Sequence, residues 1–325
     1  MSNSYTVKNL RVTFTLTNSN AVFIGSPGSA ANQLVVSGLR MTAAIKGPGL
    51  PSFPSATLQI YGMAQQDMNA LAIVPVQGGK PEYTFNTVQI EADSGNGFTF
   101  IFSGQIYMAG PDYSAAPDVC LFVHAQSAGF DQLTAANPTA YPGTANVADI
   151  VNNLASKMGM AFENDGVTGT LTNAYYSGTL ASQLRKVCQD AGIYNSLEPG
   201  NAATGSQNLL VISPAGVPRK SIAPFILTPS SGLVGYPRVL GNGFIDVRSL
   251  FNPAYRQNGP ITIQGSDVVI DPSLPKTLNS AADGNWIIGP LTHTLESQKP
   301  QGAWFTDMRL YPQNSAPAEG TPGTG

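Results

Sequence analysis

Charge is what this chain has least of. Only 11% of its 325 residues are Asp, Glu, Lys or Arg, against about 25% in a typical globular protein. The scarcity is even. Residues 1–140 hold five basic and seven acidic side chains, residues 141–212 three and five, and residues 213–325 eight and seven, for a net charge of −3. No segment is strongly basic, which argues against a nucleic-acid groove built on phosphate neutralisation. The polar surface must come from Ser, Thr, Asn, Gln and Gly. Such a surface suits packing against other subunits, because few charges need desolvating.

Cysteine is also scarce. Cys120 and Cys188 cannot form a disulfide framework; the sequence leaves a single bridge undetermined, and two buried free thiols in a reducing cytoplasm are expected. The opening Met1-Ser2-Asn3-Ser4-Tyr5 has neither the basic nor the apolar region of a signal peptide. No apolar run approaches the roughly 20 residues of a membrane helix. There is no Gly-x-Ser-x-Gly, no His-Glu-x-x-His and no phosphate loop ending in Lys-Ser/Thr. Gly25-x-x-Gly28 lacks a following Lys and reads as a turn.

The two histidines are His124 and His293. On one strand face, Cys120 and His124 would lie roughly 13 Å apart. Two ligands of one zinc sit within about 4 Å of each other, so this spacing is not a metal pair. His293 falls between Leu291 and Leu295 on a strand face, where a neutral, half-buried ring satisfied by a backbone carbonyl is expected. Glu91 and Asp93 share a face, and two exposed carboxylates are more often solvated than catalytic. A glycosidase would need them opposed across a cleft. Trp286 and Trp304 are expected to pack inside the β region that carries them.

What is present is alternation. Leu10, Val12, Phe14 and Leu16 point one way, and Arg11, Thr13, Thr15 and Thr17 the other. Further strands are expected at 39–46, near Leu58 and Ile60, and at 88–92, 98–107 and 119–125, with a short helix over 63–71. Residues 126–145, with Pro138, Pro142 and Gly143, read as a linker. Then Val147, Ile150, Val151, Leu154 and Met158 mark one helix face, with Asn146 as its cap and Gly159 after it. A second helix carries Leu180, Leu184, Val187, Cys188 and Ala191, followed by Gly192. Short strands are expected near 160–163 and 209–212. From Ile222 the chain returns to β character, with strands at 243–247, 261–264, 268–270, 286–295 and 303–310. Residues 313–325 are low-complexity and expected to be disordered. The fold class is therefore α+β, mainly β. Its expected organisation is a β-domain over 1–125, a linker over 126–145, an α/β module over 146–215, a second β-domain over 216–312 and a tail.

Several segments carry a resemblance. Gly284-Asn285-Trp286-Ile287-Ile288-Gly289-Pro290-Leu291-Thr292-His293-Thr294-Leu295, followed by Gly302-Ala303-Trp304-Phe305-Thr306-Asp307-Met308-Arg309-Leu310, resembles the closing hairpin of contractile-tail bacteriophage baseplate hub proteins. Those are the late control protein D type and the hub part of type VI secretion spike proteins. The stretch from Gly178 through Gly192, then Leu209 to Arg219 with its Pro214-Ala215-Gly216-Val217-Pro218-Arg219 turn, resembles the hub's helix, strand and turn. Gly232 to Pro237 and Phe251-Asn252-Pro253 fit the start of its second tube-like domain. The likeness covers about 120–310 by motif and 1–120 by strand layout only.

The resemblance implies two tail-tube-like β-barrels joined by the α/β module, in a structural virion protein of the viral tail. Three chains would form a homotrimer of quasi-sixfold symmetry. This baseplate hub would join a sixfold tail tube protein to a threefold central spike protein, with baseplate wedge and tape-measure proteins as neighbours. Double-stranded DNA would pass through without specific binding during genome ejection. It implies no catalytic site, no cofactor and no metal. Assembly in the bacterial host cytoplasm and a place in the virion follow. No spike or lysozyme domain is evident after residue 312, so a separate spike protein is implied. The channel lining is expected to be polar and neutral to acidic, with Arg219, Lys220, Arg238, Arg248 and Arg256 as the cations able to break that rule. The competing readings are a carbohydrate-binding or carbohydrate-cleaving β-rich protein and another tail structural protein such as a tube subunit.

Overall fold

In a computed structural model, residues 8–17, 23, 29–30, 32–49, 52–73, 85–200, 208–240, 243–265 and 282–313 are described. The alternation at the start forms β1 (Asn9–Thr15), with Leu10, Val12 and Phe14 buried. It pairs with β3 (Gln33–Ser37), beyond which lies β2 (Ser29–Ala30). These two short strands were not expected from the sequence. β4 (Met41–Gly47), β5 (Ser55–Tyr61), β6 (Thr87–Asp93), β7 (Thr99–Asp112) and β8 (Cys120–Gln126) fall where expected, as does helix α1 (Gln65–Leu71). β7 pairs with β6 through its first half and with β8 through its second. Gly104 sits at the changeover, where a Cβ would come within 2.7 Å of the Gln126 backbone. Side chains from β1, β3 and β6 share one core with those of β4, β5 and β8, so the sheet curls over on itself at β7.

The expected linker is a correction. Residues 126–145 contain helix α2 (Gly129–Leu133) and most of strand β9 (Ala135–Asn146). β9 pairs with β11 (Thr170–Thr179) in a two-stranded ribbon that packs on helices α3 (Val147–Lys157) and α4 (Leu180–Asp190). The helices match the sequence pattern. Gly159 and Gly192 take the left-handed conformation at φ +67° and +60°, as residues just past a helix end do. Thr179 caps α4 by accepting from Ser182 N at 3.2 Å. Asn146 does not cap α3 with its side chain, which instead donates to Asp149. A three-stranded sheet of β10 (Ala161–Asn164), β13 (Asn208–Pro214) and β12 (Ile193–Pro199) completes this α/β module around its own core.

The last β region holds β14 (Phe225–Leu227), β15 (Leu233–Val239), β16 (Ile245–Leu250), β17 (Pro260–Ile263), β18 (Gly284–Ser297) and β19 (Trp304–Pro312). The expected strand at 268–270, the Gly25–Gly28 turn and all but the first residue of the 313–325 tail lie outside the described residues. The two β regions are not separate sheets. β18 pairs antiparallel with β4 from Leu291↔Gly47 to Ser297↔Met41. One sheet therefore runs β15-β16-β19-β18-β4-β5-β8-β7 and on through β6, β1, β3 and β2. Among the described residues no pairing closes either β region into a barrel.

Candidate functional site

Across seven consecutive strands of that sheet, β16 to β7, buried residues on one side face partly or fully exposed ones on the other, with the alternation interrupted in β7 and at the start of β8 and β18. On the buried side lie Val247, Met308, Leu291, Ile45, Ala56 and Ala125. On the other side the register lines up one row across all seven strands: Arg248, Asp307, Thr292, Lys46, Ser55, Gln126 and Gln105. The next row holds Leu250, Phe305, Thr294, Ala44, Thr57 and His124. Beyond it come Glu296, Thr42, Gln59 and Phe122. Hydroxyl and amide side chains are the largest group on this broad open face, interspersed with Leu250, Phe305, Ala44 and Phe122. Its charges are Lys46, Arg248 and Arg309 against Asp112, Asp246, Glu296 and Asp307.

Two of those cations are tied to carboxylates directly across the strand pair. Arg248 grips Asp307 through Nε at 2.7 Å and Nη2 at 3.0 Å. Arg309 grips Asp246 through the same two nitrogens at 2.9 and 3.3 Å. Hydrogen bonding to the carboxylate first, and its charge, raise the pKa of both arginines. The cause is readable in sequence. β16 carries Asp246-Val247-Arg248 and β19 carries Asp307-Met308-Arg309. Antiparallel pairing of two Asp-x-Arg strands sets Asp opposite Arg twice. Lys46 differs, because the register places Thr292 and Ser55 across from it.

A second charged system is buried where the α/β module meets the last β region. Arg219 ends the Pro214–Arg219 turn and is only 5% exposed. Its Nη1 pairs closely with Glu198 of β12, its Nη2 lies 3.1 Å from Glu163 of β10, and its Nε lies 3.5 Å from Asp165. Arg256 reaches the other oxygen of Glu198 at 3.4 Å. Burial pushes the Glu198 carboxyl up, and Arg219 and Arg256 offset this only in part. Burial also lowers the Arg256 pKa, with Arg219 adding to the effect. For Asp165, burial works upward, but hydrogen bonds from Ser221 and Lys220 and the Arg219 charge hold the carboxyl below its ordinary value. Beside this network a pocket of about 60 Å³ lies where all three modules meet, lined by Ile45, Phe102, Glu198, Tyr255, Arg256 and His293 among others.

The residues singled out in the sequence are scattered. His124 lies on the open face, with Nδ1 3.2 Å from Thr57 Oγ1 and its ring stacked near Tyr107. His293 is on the buried side and only 6% exposed, so it is not half-buried. Its Nδ1 partner is the Thr306 hydroxyl at 2.9 Å rather than a backbone carbonyl. Burial, and then the Arg256 charge, push its pKa down to about 3. Glu91 is gripped by Arg11 at 2.5 and 2.6 Å, and Asp93 accepts from the Gly95 and Gly97 amides. Cys120 and Cys188 are buried and free. Trp286 and Trp304 are buried, donating to Ala282 O and Ser94 Oγ at 2.9 and 2.8 Å. Of the five cations named for the channel lining, Arg219 and Arg256 are in the buried network and Arg248 is paired, while Lys220 and Arg238 are exposed.

A family model described as baseplate hub gp41 matches residues 9–305. No curated protein sequence matches the chain. Among solved structures, the tail protein from Neisseria meningitidis MC58 is similar with a TM-score of 0.54 at 12% identity, covering 93% of this chain and 96% of that one. The 43 kDa tail protein of prophage MuSo2 from Shewanella oneidensis is similar with a TM-score of 0.54 at 9% identity, over 93% and 96%. The E. coli c3393 protein is described as a component of the type VI secretion system with structural similarity to T4 bacteriophage tail proteins gp27 and gp5. It is similar with a TM-score of 0.57 at 10% identity, over 86% and 76%. At such identities these structures share the fold with this chain.

Proposed function

The chain belongs to the baseplate hub gp41 family, and from that premise we propose that three copies form a pseudo-sixfold ring joining a hexameric tail tube to a trimeric central spike. The observation that carries this reading is the pairing of β18 with β4. It welds two β regions into one sheet with a single broad open face. In this reading each chain supplies two tube-like units side by side, and three chains supply six. Three cores support a first β-domain, an α/β module and a second β-domain as the units of the chain, with Phe251, Leu295 and Trp304 of the last β region packed into the first core.

In this reading the open face lines the channel through which DNA leaves. Its two arginines are paired with carboxylates, which leaves Lys46 as the cation of the central row that faces no carboxylate across the strand pairs. Each cation placed on a phosphate would add to binding and to its salt dependence. The protein acts as structure rather than as an enzyme. Its partners are the tail tube protein and a separate central spike protein, with wedge and tape-measure proteins around it, after assembly in the host cytoplasm. Mass measurement on the purified chain, alone and with tube and spike proteins, tests the ring. A trimer in either setting is expected. A chain that stays monomeric with both partners contradicts it, as does a hexamer, which would make it a tube subunit.

A further inference from the structure

We propose that Asp246 and Asp307 are masks, which occupy Arg309 and Arg248 so that this face does not grip the phosphodiester backbone. The inference rests on the reading of the open face as a channel wall, and it names the residues that keep that wall passive.

The geometry is specific. Both contacts are two-pronged, through Nε and Nη2 of each guanidinium. That edge is the fork by which arginine also binds phosphate oxygens. While the carboxylate holds it, that fork of each arginine is taken and its charge is offset at close range. The pairing is built into the strands, since the two Asp-x-Arg triplets meet in antiparallel register. The carboxylates are part of the same sheet, so the masks are held by the backbone. A shallow basin of about 460 Å³ lies over this patch, lined by Asp246, Arg248, Pro290, Thr292, Asp307 and Arg309 among others. It leaves the four charged groups open to a passing polyanion.

Stability does not account for the arrangement. The paired side chains are 54% and 42% exposed in one case and 46% and 37% in the other. Exposed pairs contribute roughly 0–1 kcal/mol and are screened by salt. Removing all four charges would leave a neutral wall too. The ladder instead keeps a face that neither attracts nor repels DNA strongly, with the Arg248 guanidinium also lying over the Phe305 ring, 5.6 Å from its centroid.

The test uses the full chain in whatever oligomeric state it adopts, with a short double-stranded DNA as probe and binding followed by fluorescence anisotropy across a salt series. Wild type should bind weakly with a shallow salt slope. The pair Asp246→Asn with Asp307→Asn should bind tighter at low salt. Its log–log slope should steepen by about 2 for one chain, or roughly 5 when six arginines of a trimer engage. Adding Arg248→Gln and Arg309→Gln should return it to wild type. Asp307→Arg with Arg248→Asp, which rebuilds one pair in reverse between neighbours that carry no charge of their own across the strand, should stay weak. An unchanged slope in a folded Asn variant overturns the masks. The oligomeric state reads the other claim separately. A trimer with an unchanged slope keeps the ring and loses the masks, whereas a monomer with a steepened slope keeps the masks and loses the ring.

Discussion

Arg219 and Arg248 make the same contact in opposite settings. Each guanidinium faces carboxylates on neighbouring elements. Arg219 is sealed between the α/β module and the last β region, whereas Arg248 stands on an open sheet face. A buried ion network costs desolvation to build, and removing one member leaves an uncompensated charge. An exposed pair costs little and returns little. The first therefore bears on how the modules are held together, and the second, in the proposed channel, on what the surface does to a passing polyanion.

The largest effect should come from breaking the buried side. Arg219→Met leaves Glu198, Glu163 and Asp165 with Arg256 as the nearest compensating cation, and should lower stability by about 3–5 kcal/mol. Arg219→Lys should also lose most of the contact, since an ammonium cannot fork to three carboxylates. Denaturant unfolding checks both. A loss of less than about 1 kcal/mol for Arg219→Met would erase the contrast with Arg248.

Gly289→Ala asks whether backbone packing or ion pairs set the shape of the open face. Gly289 sits at the register shift in β18, and a Cβ there would run into the Tyr311 ring and come within 3.0 Å of Arg309 O. Overpacking of this kind costs about 1–3 kcal/mol. That loss should exceed the loss from Arg248→Gln, and the same unfolding curves decide it.

His293 sharpens the comparison through pH. Its folded pKa is about 3, against about 6.5 when unfolded. Above pH 6.5 both states are neutral and the ring adds no pH dependence. Between pH 6.5 and 3 the unfolded chain binds the proton and the folded chain does not, so stability falls as pH falls. His293→Gln should flatten this part of the stability–pH curve. A variant with the wild-type slope would place the ring outside the sealed region.

The smallest effect belongs to the exposed ladder. Arg248→Gln or Arg309→Gln should change stability by no more than about 0.5 kcal/mol. A loss comparable to that of Arg219→Met would mean that these pairs hold the sheet.

Much of this was legible in the sequence, for physical reasons. Leu10, Val12 and Phe14 must share one buried face, and the spacing from Val147 to Leu154 admits only a helix stripe. β9 was not legible. Its Ala, Thr, Asn and Gly residues are mostly exposed, and Pro138 and Pro142 read as loop signals because proline is confined to strand edges. In a two-stranded ribbon such an edge is available. β15 hides for a similar reason, with Gly235 and Pro237 inside its register shift. The join of β4 to β18 is long-range, and no local pattern announces it. In the site, the hub-like turn drew attention to Arg219. Its partners lie on β10, in the residue just beyond β10 and on β12, with no shared spacing, so the network was invisible. The Asp-x-Arg repeat of β16 and β19 was in plain view. It carries meaning only once those two strands are known to pair.

A reconstruction of the assembled tail tip made without imposing sixfold symmetry tests the ring and its channel face together. Three copies of this chain are expected around the axis, with Thr292, Lys46 and the Arg248–Asp307 pair facing an open channel. Six copies, or three copies with that sheet face covered by another protein, would contradict that arrangement.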